Sequence, residues 1–258
     1  MLTFFEMPRL GRTHRGTNAI TRIGLFVQKT ASLYYWQERF AAFGVQHGEI
    51  TTYANRPALH FTDPDGLALV LMVGNGETAT DWEPWSASSV PEENQICGLG
   101  TVEIAASRWD ALAHTLKHLL GYHEVSHTEN GMIFQAAVGQ GTGEILIQKQ
   151  TGHNEKPGRG SVHHVAIRVK DDTELRYWQQ QIRKQGFHTT EVLDRYYFKS
   201  LYFRESNGVL FEIATDGPGF AIAGQGEETS KELSLPPFLE EHRSDIEAIL
   251  PPIGDKEE

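Results

Sequence analysis

Residues 163–169, "HHVAIRV", begin a pattern that recurs along the chain. Val165, Ile167 and Val169 alternate with Ala166 and Arg168, as a strand with one buried face requires. Behind them "TELRYWQQQIRKQGF" (173–187) carries apolar residues at three and four spacing, which predicts a helix, and further strands end in "ESNGVLFEIAT" (205–215). Two earlier stretches keep the same order. "TRIGLFV" (21–27) precedes "SLYYWQERFAAFGV" (32–45) and "DPDGLALVLMV" (63–73). "GTVEIAA" (100–106) precedes "RWDALAHTLKHLLGY" (108–122) and, more loosely, "GQGTGEILIQ" (139–148). Gly44, Gly121 and Gly186 stand where left-handed caps would end the three helices.

The repeat predicts an α+β fold of tandem strand-helix-strands (βαβββ) modules with curved mixed sheets, at 17–75, 94–150 and 160–220. Residues 1–16 precede them. An acidic, proline-bounded tail, 221–258, follows, with a short helix expected in "LPPFLEEHRSDIEAILPP" (235–252) to pack along the outside. "GNGETATDWEPWSASSVPEEN" (74–94) and "TGHNEKPGRG" (151–160) read as separators, the second of them flexible.

Aligning the first and last copies on their strands places Arg22 with His164 and Val70 with Glu212, with 48 residues between the members of each pair. The middle copy supplies Thr101 and Ile147 at a shorter interval, 46. Only the last copy offers metal ligands in those slots. Strand parity puts His164 on the concave face with Ala166 and Arg168. It gives His163 the helix-facing parity, at a strand end from which it can swing out beside His164. Glu212, between core-like Phe211 and Ile213, faces the same side as Leu210 and Ala214. A carboxylate buried there needs a partner. Either Arg168 pairs with it, or His164 and Glu212 face each other across one curved sheet around a divalent metal, as in a two-histidine-one-carboxylate site.

Composition narrows the function. The 23 Lys+Arg against 34 Asp+Glu argue against nucleic acid and against an anionic membrane surface, which need a basic face. The longest apolar run, "LALVLMV" (67–73), is too short to span a bilayer, and no charged-then-apolar leader precedes it, so a cytoplasmic location is expected. The single cysteine, Cys97, rules out an internal disulfide framework and reads as a small buried apolar residue.

The repeated unit resembles the vicinal oxygen chelate superfamily, which includes glyoxalases, fosfomycin-resistance proteins and extradiol dioxygenases. "HHVAIRV", "RYYFKSLYFRESNGVLFEIATDGPGF" (195–220) and the closing "LPPFLEEHRSDIEAILPP" are similar to the hydroquinone-type ring-cleaving dioxygenases. The resemblance implies Fe(II), with Mn(II), Zn(II) or Ni(II) as alternatives, held by His164 and Glu212. It implies a small aromatic substrate with O2, and is compatible with a homo-oligomer. His163, Arg195 and Tyr202 would surround the metal. His163 would move a proton as the ring opens, Arg195 would hold substrate or developing negative charge, and Tyr202 would donate a hydrogen bond.

Members of that type have four modules, with a further ligand histidine on the first strand of the first. By that comparison this chain is N-terminally truncated, its first module mostly missing, with "LTFF" (2–5) as that module's last strand. His14, His60, the pair His114 and His118, and the pair His123 and His127 are weak substitutes. His114 and His118 have the four-residue spacing of a helical metal clip but lack the acid of a zinc-protease motif. Two other readings are a glyoxalase-like lyase or isomerase using Zn(II) or Ni(II), and a metal-free aromatic-binding or inactive remnant.

Overall fold

A computed structural model describes residues 2–7, 9–74, 82–127, 130–136, 143–219, 233 and 235–250. The first module runs β1 (Ala19–Val27), α1 (Thr30–Ala42), β2 (His47–Tyr53), β3 (Arg56–Thr62) and β4 (Ala68–Val73). The second runs β5 (Gly98–Ala106), α2 (Trp109–His114), a π turn (Thr115–Leu119), β6 (His123–His127), β7 (Gly131–Gln135) and β8 (Glu144–Lys149). The third runs β9 (Val165–Val169), α3 (Asp172–Lys184), the short β10 (Leu193–Asp194), β11 (Lys199–Arg204) and β12 (Leu210–Thr215).

Each module curls one sheet around its own helix. In all three the opening strand pairs in parallel with the closing one: β1 with β4, β5 with β8, β9 with β12. The first two modules then join through antiparallel β1 and β5 into one eight-stranded sheet, ordered β2-β3-β4-β1-β5-β8-β7-β6. Glycine permits that join. A Cβ on Gly24 would lie 2.7 Å from the Thr101 backbone nitrogen, and one on Gly100 would meet Gly24 itself at 3.0 Å. The third module forms a separate four-stranded sheet, β10-β11-β12-β9. The free edge of β9 has no strand partner among the described residues.

Gly44, Gly121 and Gly186 follow their helices with φ of 66°, 72° and 84°. At α3 the opposite end is also set by sequence: Asp171 Oδ1 accepts the Glu174 N–H at 3.0 Å as an N-cap. Leu33 and Phe40 of α1 pack on Leu59 and Leu71. A larger core joins the other two modules, running from Leu112, Leu116 and Phe134 to Leu175, Phe203 and Phe211. Asn207 ties the same two modules together through hydrogen bonds to the backbone N–H and C=O of Arg108, at 2.8 and 3.1 Å.

Several expectations are corrected. Leu2 to Phe5 form no strand, and Phe4 and Phe5 are exposed. The segment 151–160 is not a loose separator, because residues 12–17 bridge to it at Arg12–Arg159, His14–Lys156 and Thr17–Asn154. In the middle module Ile147 lies in the core rather than on the concave face. The closing strand there is shifted in register: Ile147 pairs with Ile104, an offset of 43, where Val70 pairs with Gly24 and Glu212 with Ala166 at offsets of 46. An odd shift moves every side chain to the other face, so Glu144 and Leu146 take the concave positions. The tail forms a 3-10 turn, Pro237–His242, leading into α4 (Arg243–Ile249), while Phe220 and most of the rest of 221–258 lie outside the described residues.

Candidate metal centre

The third sheet divides its side chains cleanly. Leu201 and Phe203 on β11, and Phe211 and Ile213 on β12, point under α3 and are buried. Ser200, Tyr202, Glu212 and Ala166 take the opposite face. The register sets Tyr202 directly across from Glu212, and Glu212 across from Ala166 on β9. His163 and His164 precede β9 rather than belonging to it. His164 nevertheless keeps the parity of Ala166, and its Nε2 stands 2.7 Å from Glu212 Oε2.

Each member of that pair has its other polar atom occupied. Glu212 Oε1 accepts the Tyr202 hydroxyl at 2.7 Å, and His164 Nδ1 meets His163 Nδ1 at 2.8 Å. The Tyr202 ring stands edge-on to His164, 5.5 Å between centroids. Phe5, from the N-terminal segment, meets the His163 ring edge-on at 6.0 Å. Arg168 does not pair with Glu212; it binds Asp216, which removes the plain salt-bridge reading of that carboxylate.

Glu212 is 4% exposed. Burial alone would push its carboxyl up, but the hydrogen bonds from His164 and Tyr202, with Ser200 nearby, outweigh it and hold the acid below the usual carboxylate range. His163 is pushed below the ordinary imidazole value, first by partial burial and then by His164 and Arg204. The Tyr202 phenol is pushed up by burial and by the Glu212 charge, with Ser200 and Arg195 opposing. Arg195, exposed in the turn between β10 and β11, has the smallest of these effects. Ser200 is fully buried; among the described residues its Oγ lies outside hydrogen-bond geometry, yet it is close enough to act on both Glu212 and Tyr202. Nothing in the sequence marked it, since a serine on a strand carries no signal of its own.

The donor set suits a divalent metal. An imidazole nitrogen and a carboxylate oxygen 2.7 Å apart can share one ion, and each ligand's second atom is already held, which fixes its orientation. Among the described residues no third His, Cys, Asp or Glu joins them. The backbone of His14 bridges to Lys156 with its side chain exposed, and His60 stands against Tyr53 in the first module.

The first module pair has a different interior. Arg22, in the slot of His164, forms an ion pair with Glu103 at 3.1 Å, and Glu103 also accepts from Thr21 and Tyr53 at 2.7 and 3.0 Å. Arg56 grips Glu144 with two bonds of 2.8 and 2.9 Å, and Thr101 donates to the same carboxylate. These pairs escaped the sequence reading because 81 and 88 residues separate their members.

The family model described as the Glyoxalase/Bleomycin resistance protein/Dioxygenase superfamily matches residues 98–213. Over 258 residues, 98% of this chain and 81% of the relative, the sequence is 43% identical to the "Putative ring-cleaving dioxygenase MhqA" of Bacillus subtilis (strain 168). The chain belongs to this superfamily. It is 25% identical over 251 residues to the chlorohydroquinone/hydroquinone 1,2-dioxygenase of Sphingobium indicum, covering 93% of this chain and 75% of that one. A crystal structure titled "putative dioxygenase from Bacillus subtilis subsp. subtilis str. 168" superposes with a TM-score of 0.86 at 29% identity, over 95% of this chain and 77% of that one. The expectation of an N-terminal truncation finds no support in these alignments, which take in nearly the whole chain. Among the described residues no helix is long and apolar enough to cross a membrane.

Proposed function

We propose that this protein is a metal-dependent ring-cleaving dioxygenase acting on hydroquinone-like aromatics, with His164 and Glu212 as protein ligands of Fe(II). One observation carries the reading: a buried carboxylate and an imidazole meet at 2.7 Å, with their outer atoms held by Tyr202 and His163. The names of the relatives supply the substrate class. A redox-active divalent ion with open positions supplies, when bound, a place where an aromatic oxygen and O2 meet.

The chain's own residues supply the rest. Tyr202 keeps Glu212 Oε1 occupied and leaves Oε2 toward His164. His163 orients His164 through the shared Nδ1 contact and, held neutral at pH 7, can take a proton from a substrate hydroxyl. Arg195, exposed in the turn before β11, would turn its permanent positive charge to an anionic substrate oxygen. Ala166, small and exposed next to Glu212, leaves room for a flat ring over the sheet.

The test is oxygen uptake with hydroquinone and chlorohydroquinone on protein reconstituted anaerobically with Fe(II), beside Mn(II), Zn(II) and Ni(II). The expected result is Fe(II)-dependent O2 consumption matched by loss of the aromatic absorbance, abolished in Glu212→Ala. Metal-dependent turnover of a glyoxalase-type substrate without O2 consumption would instead establish a lyase or isomerase. Negligible metal binding, unchanged in Glu212→Ala, would establish a metal-free module.

A further inference from the structure

The second module's helix carries a feature that the proposed reaction does not use. After His114 the helix widens into the π turn Thr115–Leu119, in which Leu120 N–H donates to the Thr115 carbonyl five residues back at 3.1 Å. Residues four apart stay neighbours on one face of the helix through such a turn. His114 and His118 are four apart. Their ring centroids stand 4.4 Å from each other with planes tilted by 41°, and both rings are exposed.

The pair borders a cleft of about 290 Å³ between the second and third modules, which is also lined by Thr115, Gln185, Phe187 and Ser206. We infer that His114 and His118 form a second metal site, separate from the His164–Glu212 pair, that takes a divalent transition-metal ion of the Cu(II) or Ni(II) type.

Three observations point to a cation of that kind. Imidazole nitrogens suit Cu, Ni and Zn better than Mg or Ca, which prefer oxygen. The pair lies in the last turns of its helix, next to carbonyls whose partial negative charge favours a bound cation. The spacing selects the geometry. With one nitrogen of each ring turned to a shared metal at about 2.1 Å, the ion would lie about 3.2 Å from each centroid, and rings kept at the observed separation would subtend an angle of roughly 90°. That is the angle between neighbouring ligands in a square-planar or tetragonal site, and smaller than the tetrahedral angle that zinc adopts. Among the described residues no third His, Cys, Asp or Glu completes the set. The site is therefore open, with Gln185, Ser206 and water on its remaining sides.

The experiment uses the full chain carrying His164→Ala, which removes the other site, so that failure here is distinct from failure of the proposed function. Cu(II) is added below one equivalent and followed by electron paramagnetic resonance and by calorimetric titration. The expected spectrum is tetragonal, with coupling to two imidazole nitrogens. His118→Gln should remove one of them and weaken binding by about a hundredfold, the usual gain from holding two ligands together. Both side chains are exposed, so the variants should keep the parent's circular dichroism. Unchanged Cu(II) affinity and an unchanged spectrum in His114→Gln/His118→Gln would overturn the assignment.

Discussion

Replacing Tyr202 with Phe keeps the ring beside His164 and deletes one bond, the 2.7 Å hydrogen bond from the hydroxyl to Glu212 Oε1. A hydrogen bond to a charged acceptor is worth about 1.5–3 kcal/mol, and because this tyrosine is half-buried, water recovers part of it, leaving about 1.5 kcal/mol. That corresponds to about tenfold in an equilibrium constant. The loss should fall on metal affinity, because the hydroxyl is what keeps Oε1 occupied and Oε2 turned toward His164. It lies at the low end of the roughly 10–100-fold cost of removing a group that orients a metal ligand.

The same deletion removes one of the bonds holding Glu212 below the usual carboxylate range, so its pKa should rise toward the ordinary value. Metal binding by the variant should then fail at a higher pH than in the parent as acid is added. The assay is an anaerobic Fe(II) titration against a chromophoric chelator at pH 7 and at two lower values, with urea unfolding of the metal-free protein alongside. An Fe(II) affinity within twofold of the parent, together with lower stability of the metal-free protein, would refute the reasoning: Tyr202 would then be a packing residue that does not orient the carboxylate.

The remaining predictions concern the frame around the site. Arg56→Met leaves Glu144, 5% exposed, without its bidentate partner and should cost about 3–5 kcal/mol in urea unfolding, whereas Arg56→Met/Glu144→Leu should recover most of it. If the single and double variants are equally unstable, the ion pair is not what the first substitution breaks. Asn207→Ala removes both bonds to the Arg108 backbone between the second and third modules and should cost about 2 kcal/mol; a change below about 0.5 kcal/mol would show that the apolar core alone joins them. His60 is held below the ordinary imidazole value, by burial first and then by Arg22, with Glu103 opposing. The unfolded chain therefore takes up a proton that the folded chain resists, so the His60 contribution is complete above the ordinary imidazole pKa and is lost as pH falls below it. His60→Gln should flatten that part of the stability profile between about pH 5 and 7, and an unchanged slope would place its origin in another histidine.

What could be read in advance follows from the range of each signal. Strand alternation is local, so Val165, Ile167 and Val169 were enough to bring His164 rather than His163 to Glu212, although neither histidine is inside the strand. Helix ends are equally local, and Gly44, Gly121 and Gly186 adopt the left-handed conformation their positions suggested. Register is not local. The middle module differs from its neighbours by three residues in the offset of its closing strand, an odd number, which turned Ile147 into the core and brought Glu144 out. The π turn was hidden for a similar reason: "AHTLKHLL" satisfies the spacing of an ordinary helix, and the extra residue per turn shows only in backbone bonds. The bridges from residues 12–17 to 153–159 join segments about 140 residues apart and leave no periodic trace.

The two interiors show what one slot can become when its residue changes. Arg22 and His164 occupy equivalent positions, and each stands beside a buried carboxylate, Glu103 across the module junction in one case and Glu212 within the module in the other. A guanidinium has five donors and no acceptor, so Arg22 cannot bind a metal and neutralises its carboxylate permanently. An imidazole has a lone pair to offer and carries no fixed charge, so the positive charge that Glu212 requires must come from a proton or from an ion. In the first pair, Thr21, Tyr53, Thr101 and Arg56 donate to the carboxylate oxygens of Glu103 and Glu144. The bonds to Glu103 and Glu144 tie the first two modules together, although Arg22 Nε and His60 Nδ1 in the same interior make none among the described residues. In the third module, among the described residues, Glu212 has Tyr202 and His164 at hydrogen-bond distance, with the buried Ser200 hydroxyl close by. On the proposed function, the sparser set of donors around Glu212 is what leaves it and His164 able to share an exchangeable cation.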